Sequence, residues 1–219
     1  RISERRLRKP EAATEHHLAA LELDAHTPLA LQELKRLLVA QQRWSDLVAA
    51  YESEATLSTD TQVQALAYRN MAHVLSARLG DRDQAVAALE RASQLSRKDV
   101  ATLEELARLY MEGERFPLAA SALERLAAAI DAPAERVGVL QRLGDLFNRA
   151  DGDARTAVRW YEAALTLQPA HAPALRALDA LYAQLGNWRA LATMYIAQAA
   201  ADIDSKRRAD ALVRAADLY

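Results

Sequence analysis

The chain has 219 residues, 51% of them hydrophobic but only 5% aromatic, with 28 basic against 30 acidic side chains and no cysteine. That apolar fraction excludes a disordered chain, and its weighting toward Ala and Leu, with 6 Gly and 6 Pro, makes the chain all-helical. A net charge of −2 gives no long-range field to gather nucleic acid, no stretch of roughly 18 apolar residues lacks a charge, so direct membrane insertion is not expected, and thiolate metal sites and disulfides are impossible.

In chain order, Ala20 and Leu23 belong to a first apolar helix, and Thr27 and Pro28 open the next, which carries Leu31, Leu34 and Leu38 at helical spacing. Trp44 starts its partner, which runs through Tyr51. Thr59 or Asp60 caps a third segment with Tyr68 and Leu75, ended by Gly80-Asp81 before Ala85, Leu89, Ala92 and Leu95. Asp99 caps Leu103, Leu106, Ala107 and Tyr110, and Gly113 followed by Pro117 marks the reversal into Ala119, Leu123 and Leu126. Asp131 and Pro133 open a helix with Leu140, Leu143 and Phe147, closed by Asp151-Gly152-Asp153 ahead of Ala157, Tyr161, Ala164 and Leu167. Pro173 begins Leu175, Leu178 and Tyr182; Gly186-Asn187 turns the chain into Trp188 and Tyr195; Ser205 caps a last segment with Leu212 and Tyr219.

These positions recur every 72 residues: Trp44, Phe116 and Trp188; Leu34, Leu106 and Leu178; Leu38, Tyr110 and Tyr182; Tyr68, Leu140 and Leu212. Inside each block the pattern repeats again after 37 and then 35 residues, as in Leu31 to Tyr68 to Leu103. Large apolar residues kept at one offset along the whole chain mean that each unit makes the same contacts with its neighbours, so the fold is a stacked solenoid of helix pairs. About six repeats and twelve helices follow. The register sets Arg1 and Tyr219 inside first helices without a polar capping helix, which predicts a single array over 1–219 cut from a longer repeat protein, with Arg1 to Lys9 giving partial cover. Open ends also predict end-to-end self-association of the isolated segment.

Paired helices in units of about 34 residues with this spacing resemble the tetratricopeptide repeat, in a tandem array of bacterial type. The best single copy starts near Val137 and has Leu140, Leu143, Gly144 and Phe147 followed by Ala157, Tyr161, Ala164 and Pro169. The neighbouring unit has Tyr68, Met71, Ala72, Leu75, Ala85, Leu89 and Ala92. The 37-residue units depart from the pattern, with Lys35 and Asp179 where a small residue is usual and Glu54 and Gln198 in place of a small apolar one. The resemblance implies a right-handed α-solenoid of antiparallel helix pairs, with first helices lining a concave surface.

No catalytic constellation emerges: the chain has no phosphate-binding glycine loop, no His-Glu-x-x-His helix and no nucleophile elbow. His16 and His17 point to different helix faces, His17 standing where Leu89 and Tyr161 do; His26 and His171 fall in turns; only His73 lies on a stripe that faces a ligand. Glu104 and Glu105 diverge by about 100° on their helix, and Asp151 and Asp153 are explained by capping. Trp44, Phe116 and Trp188 are read as inter-helix packing, supported by Tyr51, Leu123 and Tyr195 further along the same helices. No metal, cofactor or catalytic residue is expected.

Beside the apolar positions of the first helices runs a polar stripe: Gln32 and Arg36, Arg69 and His73, Glu104 and Arg108, Gln141 and Asp145, then Arg176 and Ala180. Arg36, Arg69 and Arg108 are able to hold a carboxylate, with His73 a pH-sensitive member. The carboxylate clamp of chaperone-binding relatives uses Lys and Asn; Gln32, Arg69, Glu104 and Gln141 stand there, so that clamp is absent. The expected function is a non-enzymatic scaffold binding a protein or peptide segment along the stripe, the alternative being a regulatory or sensing module of a larger multidomain protein.

Overall fold

The computed structural model describes residues 28–149, 153–201 and 204–218. The expectations for Arg1 to Lys9, His16, His17, Ala20, Leu23, His26, Thr27, Asp151, Gly152 and Tyr219 lie outside them. Among the described residues 84% are helical, with no strand. The helices are α1 (Pro28–Ala40), α2 (Trp44–Leu57), α3 (Thr61–Val74) with a π turn at Leu75–Leu79, α4 (Arg82–Leu95), α5 (Val100–Glu112), α6 (Phe116–Ala129), α7 (Pro133–Arg149), α8 (Ala154–Leu167), α9 (Ala172–Gln184), α10 (Trp188–Ala201) and α11 (Ser205–Ala216). The chain forms two compact units, Arg1–Leu109 and Tyr110–Tyr219.

In the first unit each helix packs on the next from α1 to α4. Leu31, Leu34, Leu38 and Leu47 form a buried cluster on which Trp44, Val48 and Tyr51 lie half-buried. Each such leucine removed from water contributes about 2 kcal/mol before chain entropy is set against it. In the second unit the succession runs from α6 to α11, with Leu123, Leu126, Leu143, Tyr161 and Leu178 all under 2% exposed. The repeat register therefore carries the core, although three of its members are exposed: Leu167 at 37%, Leu212 at 47% and Trp188 at 50%. The packing expected of the three block-opening aromatics holds for Trp44 against its leucine cluster, while Trp188 at the first turn of α10 has half its surface in solvent.

Two turn types alternate, and each recurs at 72 residues. After α1, α5 and α9 one residue adopts positive φ, namely Gln42 (57°), Glu114 (55°) and Gly186 (64°). The next N–H then reaches back five residues: Arg43 to the Leu38 carbonyl (2.9 Å), Arg115 to Tyr110 (2.8 Å) and Asn187 to Tyr182 (2.8 Å). This is the double hydrogen bond of a Schellman cap, which satisfies the last carbonyls of the helix. The sequence pointed to Gly113 for the middle reversal, but the left-handed residue is Glu114, because the register position is shared with Gln42 and Gly186. After α3 and α7 the reach is six residues, from the Asp81 N–H to Leu75 (2.9 Å) and from Asp153 to Phe147 (3.1 Å).

The caps follow the same logic with two corrections. Asp60, Asp81 and Asp153 accept from the N–H groups of Gln62 (2.8 Å), Gln84 (3.0 Å) and Thr156 (3.1 Å). At α11 the capping carboxylate is Asp204, accepting from Lys206 (2.8 Å), and Ser205 is already helical. At α7, Pro133 occupies the first helical position, so the cap falls on Ala132, whose carbonyl accepts from Arg136, and not on Asp131.

Candidate protein-interaction surface

In the first unit the stripe is carried by α1, α3 and α5. Gln32, Arg36, His73, Glu104 and Arg108 are exposed and Arg69 is half-buried. The three arginines already hold carboxylates of their own chain. Arg36 Nε donates to Glu33 (3.0 Å), and Arg108 grips Glu105 through Nε (3.0 Å) and Nη2 (2.5 Å). That grip, with smaller contributions from the charges of Arg108 and His73, holds the Glu105 carboxyl below its ordinary range against the opposing effect of burial. Arg69 Nη1 donates to both oxygens of Asp99 (3.1 and 2.8 Å), and the Thr102 hydroxyl donates to the same carboxylate. Asp99, expected only to cap α5, thus ties α3 to the start of α5.

In the second unit the stripe is carried by α7 and α9. Gln141 and Asp145 are half-buried and Arg176 is exposed, beside exposed Ala180. Gln141 Oε1 lies 2.8 Å from His171 Nε2, and the Tyr161 hydroxyl donates to Asp145 (2.6 Å). Residues 69 and 99 of the first unit stand in the register of 141 and 171 in the second, so both units place a strut between a first helix and the residue opening the next first helix. The sequence assigned His171 to a turn and did not find its partner. The 72-residue register held that signal, because Arg69 with Asp99 and Gln141 with His171 are the same two offsets.

Three of the four departures from the repeat pattern also have partners. Lys35 Nζ lies 2.7 Å from both Glu54 oxygens and 5.0 Å from the centre of the Tyr51 ring, so the two non-consensus residues of that unit neutralise each other. Asp179 accepts a hydrogen bond from Tyr195, and Glu162 accepts one from Tyr182 (2.5 Å). Burial first, then these carboxylates, push the phenols of Tyr161, Tyr182 and Tyr195 up. Gly144 is fixed by contact: a Cβ there would stand 2.6 Å from the Tyr161 ring.

Three cavities adjoin these elements. One of about 430 Å³ lies beside Arg69 and Asp99, with Lys98 and Gln62 at its edge. A second, of about 560 Å³, lies between α6 and α7 with Glu114, Arg142, Asp145 and Arg149 around an apolar floor. The third, of about 590 Å³, lies among α8, α9 and α10 over Leu175 and Leu178 and includes no residue of the stripe. Among the described residues no group of three or more His, Asp or Glu side chains is placed to hold a metal ion, and no helix is long and apolar enough to cross a membrane.

Residues 65–99 match the sequence profile of the tetratricopeptide repeat, which is the unit of Tyr68, Met71 and Leu89, one 72-residue block before the copy at Val137. No curated protein matches the chain. Among solved structures, that of the MamA protein is similar over 78% of this chain and 88% of its own, at 19% identity and a TM-score of 0.51. YrrB, described as a TPR protein with an unusual peptide-binding site, is similar over 80% of this chain and 86% of its own, at 18% identity and a TM-score of 0.50. A MamA double mutant gives 86% and 92% coverage at 16% identity and 0.50. The chain contains a tetratricopeptide repeat and has the fold of tetratricopeptide-repeat proteins.

Proposed function

We propose that the chain is a non-enzymatic interaction scaffold whose first helices hold a segment of a partner protein along Gln32, Arg36, Arg69, His73, Glu104 and Arg108 in the first unit and Gln141, Asp145 and Arg176 in the second. The observation that carries this reading is the state of the three arginines. Each is set against a carboxylate of its own chain, so the row offers alternating charge to a partner rather than a bare cationic clamp. An extended peptide with both charge signs and free backbone groups suits such a row. The i,i+3 pairs of Arg36 and Arg108 are solvent-exposed and worth a few tenths of a kcal/mol, so a partner carboxylate displaces them at little cost. The peptide-binding site named for YrrB is in keeping with this.

The test is quantitative capture from cell extract by the chain and by a variant carrying Gln32→Ala, Arg36→Ala and Arg108→Ala. Arg69 is left intact because it carries the strut to Asp99. A protein retained by the wild-type chain and lost by a variant with unchanged helicity supports the stripe. Equal retention of every captured protein removes the first-unit stripe from the binding surface.

A further inference from the structure

The two copies of one packing site are filled differently. In the first unit α2 turns Trp44, Leu47, Val48 and Tyr51 toward the first helices, and these residues are buried or half-buried. Their register equivalents in α6 are Phe116, Ala119, Ala120 and Leu123, each of them smaller. Tyr110 in place of Leu38 returns part of the volume, and what is left is the pocket of about 560 Å³ whose floor is Phe116, Leu123 and Leu146, with Met111 at its mouth. The pocket opens to solvent, and because Leu123 and Leu146 are 1% and 3% exposed, its reachable apolar surface comes from Phe116 and Met111.

The rim says what fits. In the first unit both aromatic rings at this site are covered by a cation: Arg78 lies 5.0 Å from the centre of Trp44 and Lys35 lies 5.0 Å from that of Tyr51. In the second unit the cation is present and the large rings are not. Arg149 ends α7 one register position before the counterpart of Arg78 and lines the pocket. Arg142 and Arg149 face Glu114 and Asp145, so the rim sums to neutral and favours an uncharged ring over an anion.

We propose that this pocket binds an aromatic side chain, with an indole the best fit, projecting from an extended segment of a partner protein. Its floor takes the ring and Arg149 covers the π face, as Arg78 covers Trp44. The inference deepens the scaffold reading and rests on it only for the source of the ring, since the pocket is tested without any partner.

The three methionines supply the assay, because Met111 stands at this pocket, Met194 at the cavity among α8, α9 and α10, and Met71 in the first unit. The methyl resonances of the whole chain are followed while N-acetyl-tryptophanamide is added, and separately N-acetyl-leucinamide. The expected result is a saturable shift of Met111 alone, with the leucine amide about tenfold weaker. Arg149→Gln weakens the tryptophan amide by about fivefold and leaves the leucine amide unchanged. The double variant Phe116→Trp with Leu123→Tyr introduces the rings that the first unit has at 44 and 51 and abolishes the shift while helicity and melting temperature stay those of a folded chain; Phe116→Trp alone, at the half-buried position, weakens it.

Movement of Met194 without Met111, equal affinity for the two amides, or a shift that survives the filled variant each overturns the proposal. So does a concentration-dependent dimer that Trp188→Ala returns to monomer while the probe competes with it, because the ring would then come from a second copy. Loss of the stripe as a capture surface, with the Met111 shift intact, would overturn only the scaffold route along the first helices.

Discussion

Positions 35 and 51 of the first unit and 179 and 195 of the second are the same pair in the register, yet they are joined by opposite chemistry. Lys35 lies over the Tyr51 ring and neutralises Glu54, whereas Asp179 accepts a hydrogen bond from the Tyr195 hydroxyl while Arg214 lies 5.9 Å from that ring. The strut positions diverge in the same way, as an ion pair between Arg69 and Asp99 and as an amide–imidazole contact between Gln141 and His171. What the fold requires at these places is contact between successive helices. The charge that makes the contact is free to vary, and the first unit is stitched by cations, the second by phenols and carboxylates.

The largest effect expected from breaking this comparison is at Gly144, a position where the second unit has no room for a side chain. Gly144→Val puts a side chain into the Tyr161 ring and separates its hydroxyl from Asp145. A destabilisation of about 3 kcal/mol is expected, with hydrogen exchange rising in α7 and α8. The register equivalents in the first unit are Ala72 and Leu89, both buried, where Ala72→Gly costs about 1 kcal/mol through helix propensity. Similar denaturation midpoints for the two variants would remove the distinction.

Next in size is the Lys35–Glu54 pair, whose side chains are 17% and 23% exposed. Lys35→Ala strands a carboxylate in a mostly dry setting and is expected to cost about 2 kcal/mol. Adding Glu54→Leu copies the middle block, where Ala107 and Leu126 occupy these positions fully buried, and is expected to recover the loss. A double variant no more stable than the single one would show that the pair is more than a local neutralisation.

These residues also mark how far the sequence could be read. The 72-residue period named Leu34, Leu38, Leu103, Leu106 and Leu178 as core, because burial imposes the same choice on every copy. Gly80 and Gly186 were legible as turns because glycine favours positive φ; Gln42 and Glu114, which take the same conformation, were not, since nothing in a lone glutamine or glutamate signals it. Lys35 and Glu54 read as two separate defects because their 19-residue separation spans a turn, and only the packed helices bring them together. The candidate stripe was legible as a polar face, and the i,i+3 spacing of Glu33 with Arg36 and of Glu105 with Arg108 held a signal for two of its ion pairs, but Arg69 and Asp99 are 30 residues apart and only the packed helices bring them together. Trp188 looked like its counterpart Trp44, and its exposure depends on which neighbours cover it.

Alkaline titration sharpens the comparison at a smaller scale. Tyr161, Tyr182 and Tyr195 have folded-state values raised by burial and by their carboxylate partners. A raised value means stability that is fully present below the unfolded tyrosine value of about 10 and lost as pH rises through the folded values. Their tyrosinate absorbance should appear above the ordinary tyrosine range, as should that of Tyr51, which burial and Glu54 also raise. Replacing all three by Phe should flatten the alkaline fall in the urea midpoint, and an unchanged slope would contradict the stitching role given to these bonds.

The smallest expected effect is at Arg108, and it separates binding from stability. Its pair with Glu105 joins two turns of one helix at the surface, with 44% and 30% of the side chains exposed, so Arg108→Ala should lower stability by under about 0.5 kcal/mol. The sign of its pH dependence is set by Glu105, whose carboxyl is held down. That stability is present above the unfolded glutamate value and is lost as pH falls through the folded one, so wild type and variant should converge in acid. Carbon-13 detection of the Glu105 carboxyl should show it titrating at higher pH in Arg108→Ala. A near-neutral cost in folding leaves Arg108 available to exchange one carboxylate for another, whereas a cost of several kcal/mol would make the pair a structural brace and remove Arg108 from the candidate surface.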